Sequence, residues 1–304
     1  MNKRFVYLIM VMIMLVWGLN TVALKFLVLH FPPLMMQALR IFIAGLVLLP
    51  FLFRGDWRKL TNQTRVYLGG AILFGVICHH SFLALGLELT SATHGALILA
   101  LVPLTTVLLG VLFLKERLSW LRGTGVLLGL IGVIFVILRG GNVAGGNLWG
   151  DLLVGASTAS QATSFILIKK VTDTLDAKQM TALMFLIGSI FIFGISWVLD
   201  PEGLHQFWDV SSLAWLVFFA SGILATGLGH MMYNVAIQRL GPGSSAVFIN
   251  LTPFFALLGA AFFLGEKLYL SHLASFLLIV IGVYLGSGAA EESRWFQRRW
   301  VKEI

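Results

Sequence analysis

Polar side chains recur at helical spacing inside stretches that carry no Asp, Glu, Lys or Arg. Within 152–168, Ser157, Ser160, Gln161 and Ser164 fall at i, i+3, i+4 and i+7, one face of a helix. Within 210–238, Thr226, His230, Tyr233 and Asn234 fall at i, i+4, i+7 and i+8. Trp17, Asn20 and Thr21 lie close together, as do His79, His80 and Ser81, and Arg40 is the one charge in the run 33–53. Such groups bind: they exchange hydrogen bonds and offer aromatic walls, and imidazole alone titrates unperturbed near neutral pH. An intramembrane enzyme would need a serine or acidic dyad, or an H-E-x-x-H zinc site, and none is present. Neither a metal nor a cofactor is expected. All 13 acidic residues fall in loops or at the edges of the apolar runs, Glu88, Glu116, Asp151 and Glu266 being the nearest. A buried carboxylate relay is therefore absent, and organic cations are poor ligands. Zwitterionic, neutral or weakly anionic compounds suit this inventory better.

These residues sit in a chain of 304 residues that is 59% hydrophobic and 11% charged. A soluble domain averages roughly 45–50% apolar and about 25% charged. Nine charge-free runs, beginning with 5–24 and ending with 268–290, are long enough to span a bilayer, and the run 33–53 is interrupted only by Arg40. The pattern predicts an all-α integral membrane protein with ten transmembrane helices. The runs are continuous, which excludes the alternating ten-residue strands of a membrane barrel. With a cytoplasmic N-terminus, 17 of the 21 basic residues fall on the inner side, so the net charge of +8 follows from topology. It does not call for nucleic acid. Lys3-Arg4 and the long apolar run behind them read as an uncleaved first span, and residues 291–304 as a charged cytoplasmic tail.

The chain repeats itself. Residues 86–135 laid on 236–285, without a gap, give 13 identities, among them Pro103/Pro253 and Glu116/Glu266. The same offset of 150 places His80 on His230, and an offset of 144 aligns Asn20 with Ser164 and Lys25 with Lys169. Two units follow, 1–140 and 141–290, each of five spans. An odd number reverses the entry side of the second copy, so the two form an inverted pair. Secondary transporters are built in this way, with the binding site at the repeat interface near the midplane.

The chain resembles the EamA-type members of the drug/metabolite transporter superfamily. The resemblance rests on Trp17-Gly18-x-Asn20 with Lys25, on Arg40, and on the Pro103…Glu116 and Pro253…Glu266 elements. The second repeat departs from it: Gln161 and Ala162 stand where Trp-Gly would, and Met184 where Arg40 does. The resemblance implies a carrier of small metabolites in the cytoplasmic membrane, often an exporter of amino acids or related compounds. A lipid or lipid-linked carrier or scramblase of the same fold is the alternative.

The expected cavity lies between the first, third, sixth and eighth spans. Trp17 and Tyr233 would be its walls, and Asn20, Gln161, Ser164 and Asn234 its polar contacts. Depth at about 1.5 Å per residue puts His80 and His230 on opposite sides of the midplane, one near each gate. His79 points about 100° away from His80 on an α-helix and reads as a packing residue. Arg40 either binds a carboxylate or snorkels to the interface. Pro103 and Pro253 are expected to kink the fourth and ninth spans. Glu116 and Glu266 are expected to pair with Lys115, Arg117 and Lys267 beside them. The glycine pairs Gly125/Gly129 and Gly282/Gly286 mark the fifth and tenth spans for close packing, with a homodimer possible through them. The partners expected are thus a small-molecule substrate, the lipid bilayer and a second copy docked through these two helices.

Overall fold

The computed structural model describes residues 3–53, 60–114, 119–140, 147–208, 210–240, 245, 248–249 and 251–286. Among the described residues there are helices and no strands. In chain order the helices are α1 Lys3–Val28, α2 Pro33–Leu52, α3 Asn62–Ile72, α4 His79–Leu89, α5 Ala92–Leu99, α6 Val102–Leu114 and α7 Trp120–Gly140. The second half holds α8 Leu148–Thr172, α9 Ala177–Leu199, α10 Gly203–Gln206, α11 Ser212–Ala220, α12 His230–Leu240, α13 Thr252–Leu264 and α14 Leu270–Gly286. Among the described residues seven helical stretches are long and apolar enough to cross a membrane, and three shorter apolar helices accompany them. Residues 54–59, 115–118 and 287–304, and with them Glu116 and the tail, lie outside the described residues.

Helix starts are set by side-chain caps. Thr61, Ser91, Asn147, Asp176 and Ser211 each accept a hydrogen bond from a backbone N–H in the first turn that follows. Gly265, at φ 65°, ends α13 in the left-handed conformation that a Cβ disfavours. The third and eighth spans are not continuous α-helices. A π-helical segment, Leu73–Cys78, joins α3 to α4, and another, Ser221–Gly229, joins α11 to α12. The offset of 150 lays the first on 223–228, so the two halves carry the same irregularity at the same place. The second ends immediately before His230, and the first ends before His79, one residue short of the matched His80.

Packing follows the repeat. The second span lies on the seventh (α2 on α9) and the fifth on the tenth (α7 on α14). The remaining large contacts come in exchanged pairs: α1 against α13 with α8 against α5 and α6, and α4 against α8 with α12 and its π segment against α1. The glycines of α7 and α14 pack within the chain. A Cβ at Gly282 would lie 2.7 Å from the carbonyl oxygen of Gly125, and one at Gly132 would lie 3.1 Å from that of Ser275. These two contacts exchange under the offset, since 125 falls on 275 and 132 on 282. The glycine faces are thus occupied inside one molecule, and a homodimer through these helices would have to use their outer faces.

Two expectations about the span ends change. Pro103 does not bend a continuous helix: α5 stops at Leu99, and Pro103 stands in the first turn of a new helix, α6. Pro253 likewise stands in the first turn of α13. A proline lacks an N–H and is tolerated where the first turn has no partner for one. Glu266 does not turn to Lys267; its two carboxylate oxygens accept from the backbone N–H groups of Ala92 (2.8 Å) and Thr93 (3.0 Å). The start of α5 has N–H groups with no helical partner and a positive dipole end, and a carboxylate satisfies both. Lys25 does the converse, donating to the carbonyls of Leu87 (2.8 Å) and Glu88 (3.2 Å) at the end of α4.

Candidate substrate cavity

A cavity lies at the seam between the two halves. Trp17, Asn20, Arg40, His80, Gln161 and His230, expected from the sequence, all line it. His79, Thr21, Phe165 and Thr252 join them. Among the described residues no acidic side chain does.

The first span brings Trp17 to the lining because Gly18 lets α1 approach α13 closely: a Cβ at Gly18 would lie 2.7 Å from the carbonyl oxygen of Thr252. The Trp17 indole N–H donates across the seam to the carbonyl of Ala225, 3.0 Å away. Its ring contacts His230 (centroids 4.7 Å apart) and Tyr233 (4.9 Å). A π-helical stretch leaves carbonyls such as that of Ala225 free of the ordinary i→i−4 partner. His230 Nδ1 lies 3.3 Å from the same oxygen.

Arg40 is fully buried, which excludes snorkelling. Its guanidinium donates to Gln37 Oε1 from Nε (3.0 Å) and from Nη2, to Ser221 Oγ (3.1 Å), and to Thr226 Oγ1. Ser221 in turn donates to Asn20 Oδ1 at 2.5 Å. Ser221 and Thr226 are five residues apart, the repeat of π hydrogen bonding, so the π segment turns both hydroxyls toward one guanidinium. Ser221 was illegible to a search at α spacing for this reason. Gln37, three residues before Arg40, could have been found on the face they share.

The histidines converge. His80 and His230 lie with ring centroids 5.7 Å apart, and His79 lies 4.7 Å from His80. The separate gates expected from depth arithmetic are not what the rings form. The two nitrogens of His80 are buried and have no hydrogen-bond partner among the described residues. His79 is anchored on α8: its Nδ1–H donates to Ser157 Oγ (2.8 Å), and that hydroxyl donates back to the His79 carbonyl (2.9 Å). This bond fixes the tautomer and leaves Nε2 as the acceptor.

Ser164, Tyr233 and Asn234 stand behind the lining. The Ser164 hydroxyl presses on Gly75 of the first π segment and has no partner. Tyr233 packs between Trp17 and Phe165 with its ring tilted to both, and its hydroxyl has no partner among the described residues. Asn234 donates to Thr181 Oγ1 at 2.9 Å, tying α12 to α9.

The EamA-like transporter family model matches residues 4–138 and again 148–288. A "probable amino-acid metabolite efflux pump" of Salmonella typhimurium is 28% identical over 288 residues, covering 90% of this chain and 92% of the relative. An "uncharacterized transporter" of Archaeoglobus fulgidus is 25% identical over 270 residues, covering 88% and 94%. A solved crystal structure superposes with a TM-score of 0.68 at 21% identity, covering 96% of this chain and all of that one, which establishes likeness of fold.

Proposed function

The chain belongs to the EamA-like transporter family, and we propose that this multi-pass membrane protein exports amino acids or related small metabolites across the cytoplasmic membrane by alternating access. In this reading ten helices cross the bilayer as two inverted halves, 1–140 and 141–290, with both termini in the cytoplasm. The observation that carries it is the cavity at the seam, where His80 and His230, matched by the repeat, face each other. The relative described as an efflux pump supports the substrate class and the direction. Trp17, Asn20, Arg40, His80, Gln161 and His230 contact the substrate. The unpartnered hydroxyls of Ser164 and Tyr233 reach it when the halves rock to the other side, and Asn234 positions α12. Counterflow of labelled amino acids into liposomes holding the purified protein tests the reading. Saturable exchange, lost on Gln161→Leu in a protein that still inserts, is the expected result; no exchange of any labelled amino acid would overturn it.

A lipid carrier of the same fold is favoured by one observation. An apolar groove between α1 and the second π segment, lined by residues such as Ile9, Met12, Val16, Leu228 and Met232, abuts the cavity wall at Trp17. Lys178 and Arg239 stand at its inner continuation. Scrambling of a fluorescent phospholipid in the same liposomes, without amino-acid exchange, would select this reading.

A further inference from the structure

Arg40 is a positive charge held inside the helix bundle with its N–H groups on neutral acceptors alone: one amide and two hydroxyls. Among the described residues no carboxylate lies within ion-pair distance of it. A cation buried in this way is costly until an anion compensates it. The cavity it lines offers none, since its walls are aromatic, aliphatic, amide, hydroxyl and imidazole. The same cavity holds further groups that await a polar ligand: both ring nitrogens of His80 and Oε1 of Gln161 are buried without a hydrogen-bond partner among the described residues. Leu24, Leu83, Leu99, Val102, Phe165 and Ile249 make the remaining wall apolar.

We infer that the cavity recognises its substrate by a carboxylate seated at Arg40, with an apolar body against the aliphatic wall, and takes no hold of an ammonium group. The inference rests on the cavity being the substrate site, as proposed above, and narrows what that site reads. Gln37, Ser221 and Thr226 take four of the five guanidinium N–H groups, and the remaining one, on Nη2, is the donor left for a carboxylate oxygen. Gln37, on the same helix face, and Ser221 and Thr226, from the second half, hold the guanidinium in place for it. An ammonium entering the same space meets a fixed positive charge and no carboxylate. The substrate class therefore extends from amino acids to carboxylic acids that lack the amine, and excludes the corresponding amines.

The test compares four compounds that share one apolar body: phenylalanine, 3-phenylpropanoate, 2-phenylethylamine and phenylalanine amide. Leucine, 4-methylpentanoate and 3-methylbutylamine repeat it with an aliphatic body. Binding to the purified full chain is read as a ligand-dependent rise in Tm. The acids and the amino acids are expected to bind alike within each set, and the amines and the amide at least roughly tenfold more weakly. Arg40→Gln removes the acid-dependent rise. Should that variant not fold, the comparison on the unaltered protein decides alone. An amine or the amide binding as tightly as its acid overturns the inference and leaves the cavity as the site. No rise in Tm with any of the compounds overturns the site reading itself, and the inference with it.

Discussion

The imidazoles of His80 and His230 lie 5.7 Å apart, although 150 residues separate them and the repeat makes them equivalent. Two equivalent groups related by a two-fold axis can touch only where that axis passes between them. In the inverted-repeat reading proposed above, the contact places that axis in the cavity. Any motion that exchanges the conformations of the two halves leaves this pair at its pivot, where displacement is smallest. Trp17 and Phe185 close around His230 from either half.

A pair at a shared site does not behave as two independent gates. His80→Gln and His230→Gln are each expected to weaken apparent substrate affinity in counterflow by roughly tenfold, the scale of one hydrogen bond to a charged group. Because both rings face one ligand, the double variant should lose less than the product of the two. Effects that multiply within about twofold would mean that the histidines act separately.

Glu266 caps a helix of the other half, and that predicts a graded loss. Glu266→Ala removes both acceptors from the amides of Ala92 and Thr93 and should cost about 1–2 kcal/mol, the scale of a lost helix cap. Glu266→Gln keeps one oxygen and should lose roughly half as much. Thermal unfolding in detergent gives the order, and equal losses for the two variants would disprove capping.

Much of this was visible in the sequence because a bilayer simplifies the code. Charge-free runs locate the helices, and the offset of 150 aligns proline with proline and glutamate with glutamate. Six of the nine side chains put forward line the cavity because polar groups in lipid-spanning helices turn inward. Most of what stayed hidden traces to departures from a constant period of 3.6 residues. The two π segments break it. They bring Ser221 into line with Thr226 at Arg40, and the converged rings of His79, His80 and His230 all follow a π stretch. Depth counted at a fixed rise along straight helices separated His80 from His230 by most of a gate. Glu266 escaped for a different reason: its partners are backbone amides some 170 positions earlier, and a backbone amide has no signature in a sequence.

The α7–α14 contact predicts a sharp position dependence. A side chain at Gly282 would run into the backbone of α7 at Gly125 and Gly129, whereas nothing lies within 4 Å of a Cβ at Gly155. Gly282→Val should lower Tm by the equivalent of about 1–3 kcal/mol through overpacking. Gly155→Ala should be neutral or slightly stabilising, as alanine is the better helix former. Both changes belong in a preparation of known oligomeric state. The Gly282→Val loss arises within one chain, so it should be independent of protein concentration. A loss that varies with concentration would place the contact between molecules.

His94 and Asp151 form a buried pair outside the cavity. Nδ1 of His94 lies 3.2 Å from the Asp151 carboxylate, which also accepts from Thr90 Oγ1 at 2.6 Å. His94 belongs to the first half and Asp151 to the first turn of α8 in the second, so the pair clasps one half to the other. Removing one partner strands a buried polar group. Asp151→Leu or His94→Leu alone should each cost about 1–3 kcal/mol of stability, the scale of a buried polar group left without its partner. The double variant places two apolar side chains of similar volume together, so its loss should fall well below the sum. A double-mutant cycle on thermal unfolding measures that difference. Losses that simply add would show that each residue contributes through its own packing, with no clasp between the halves.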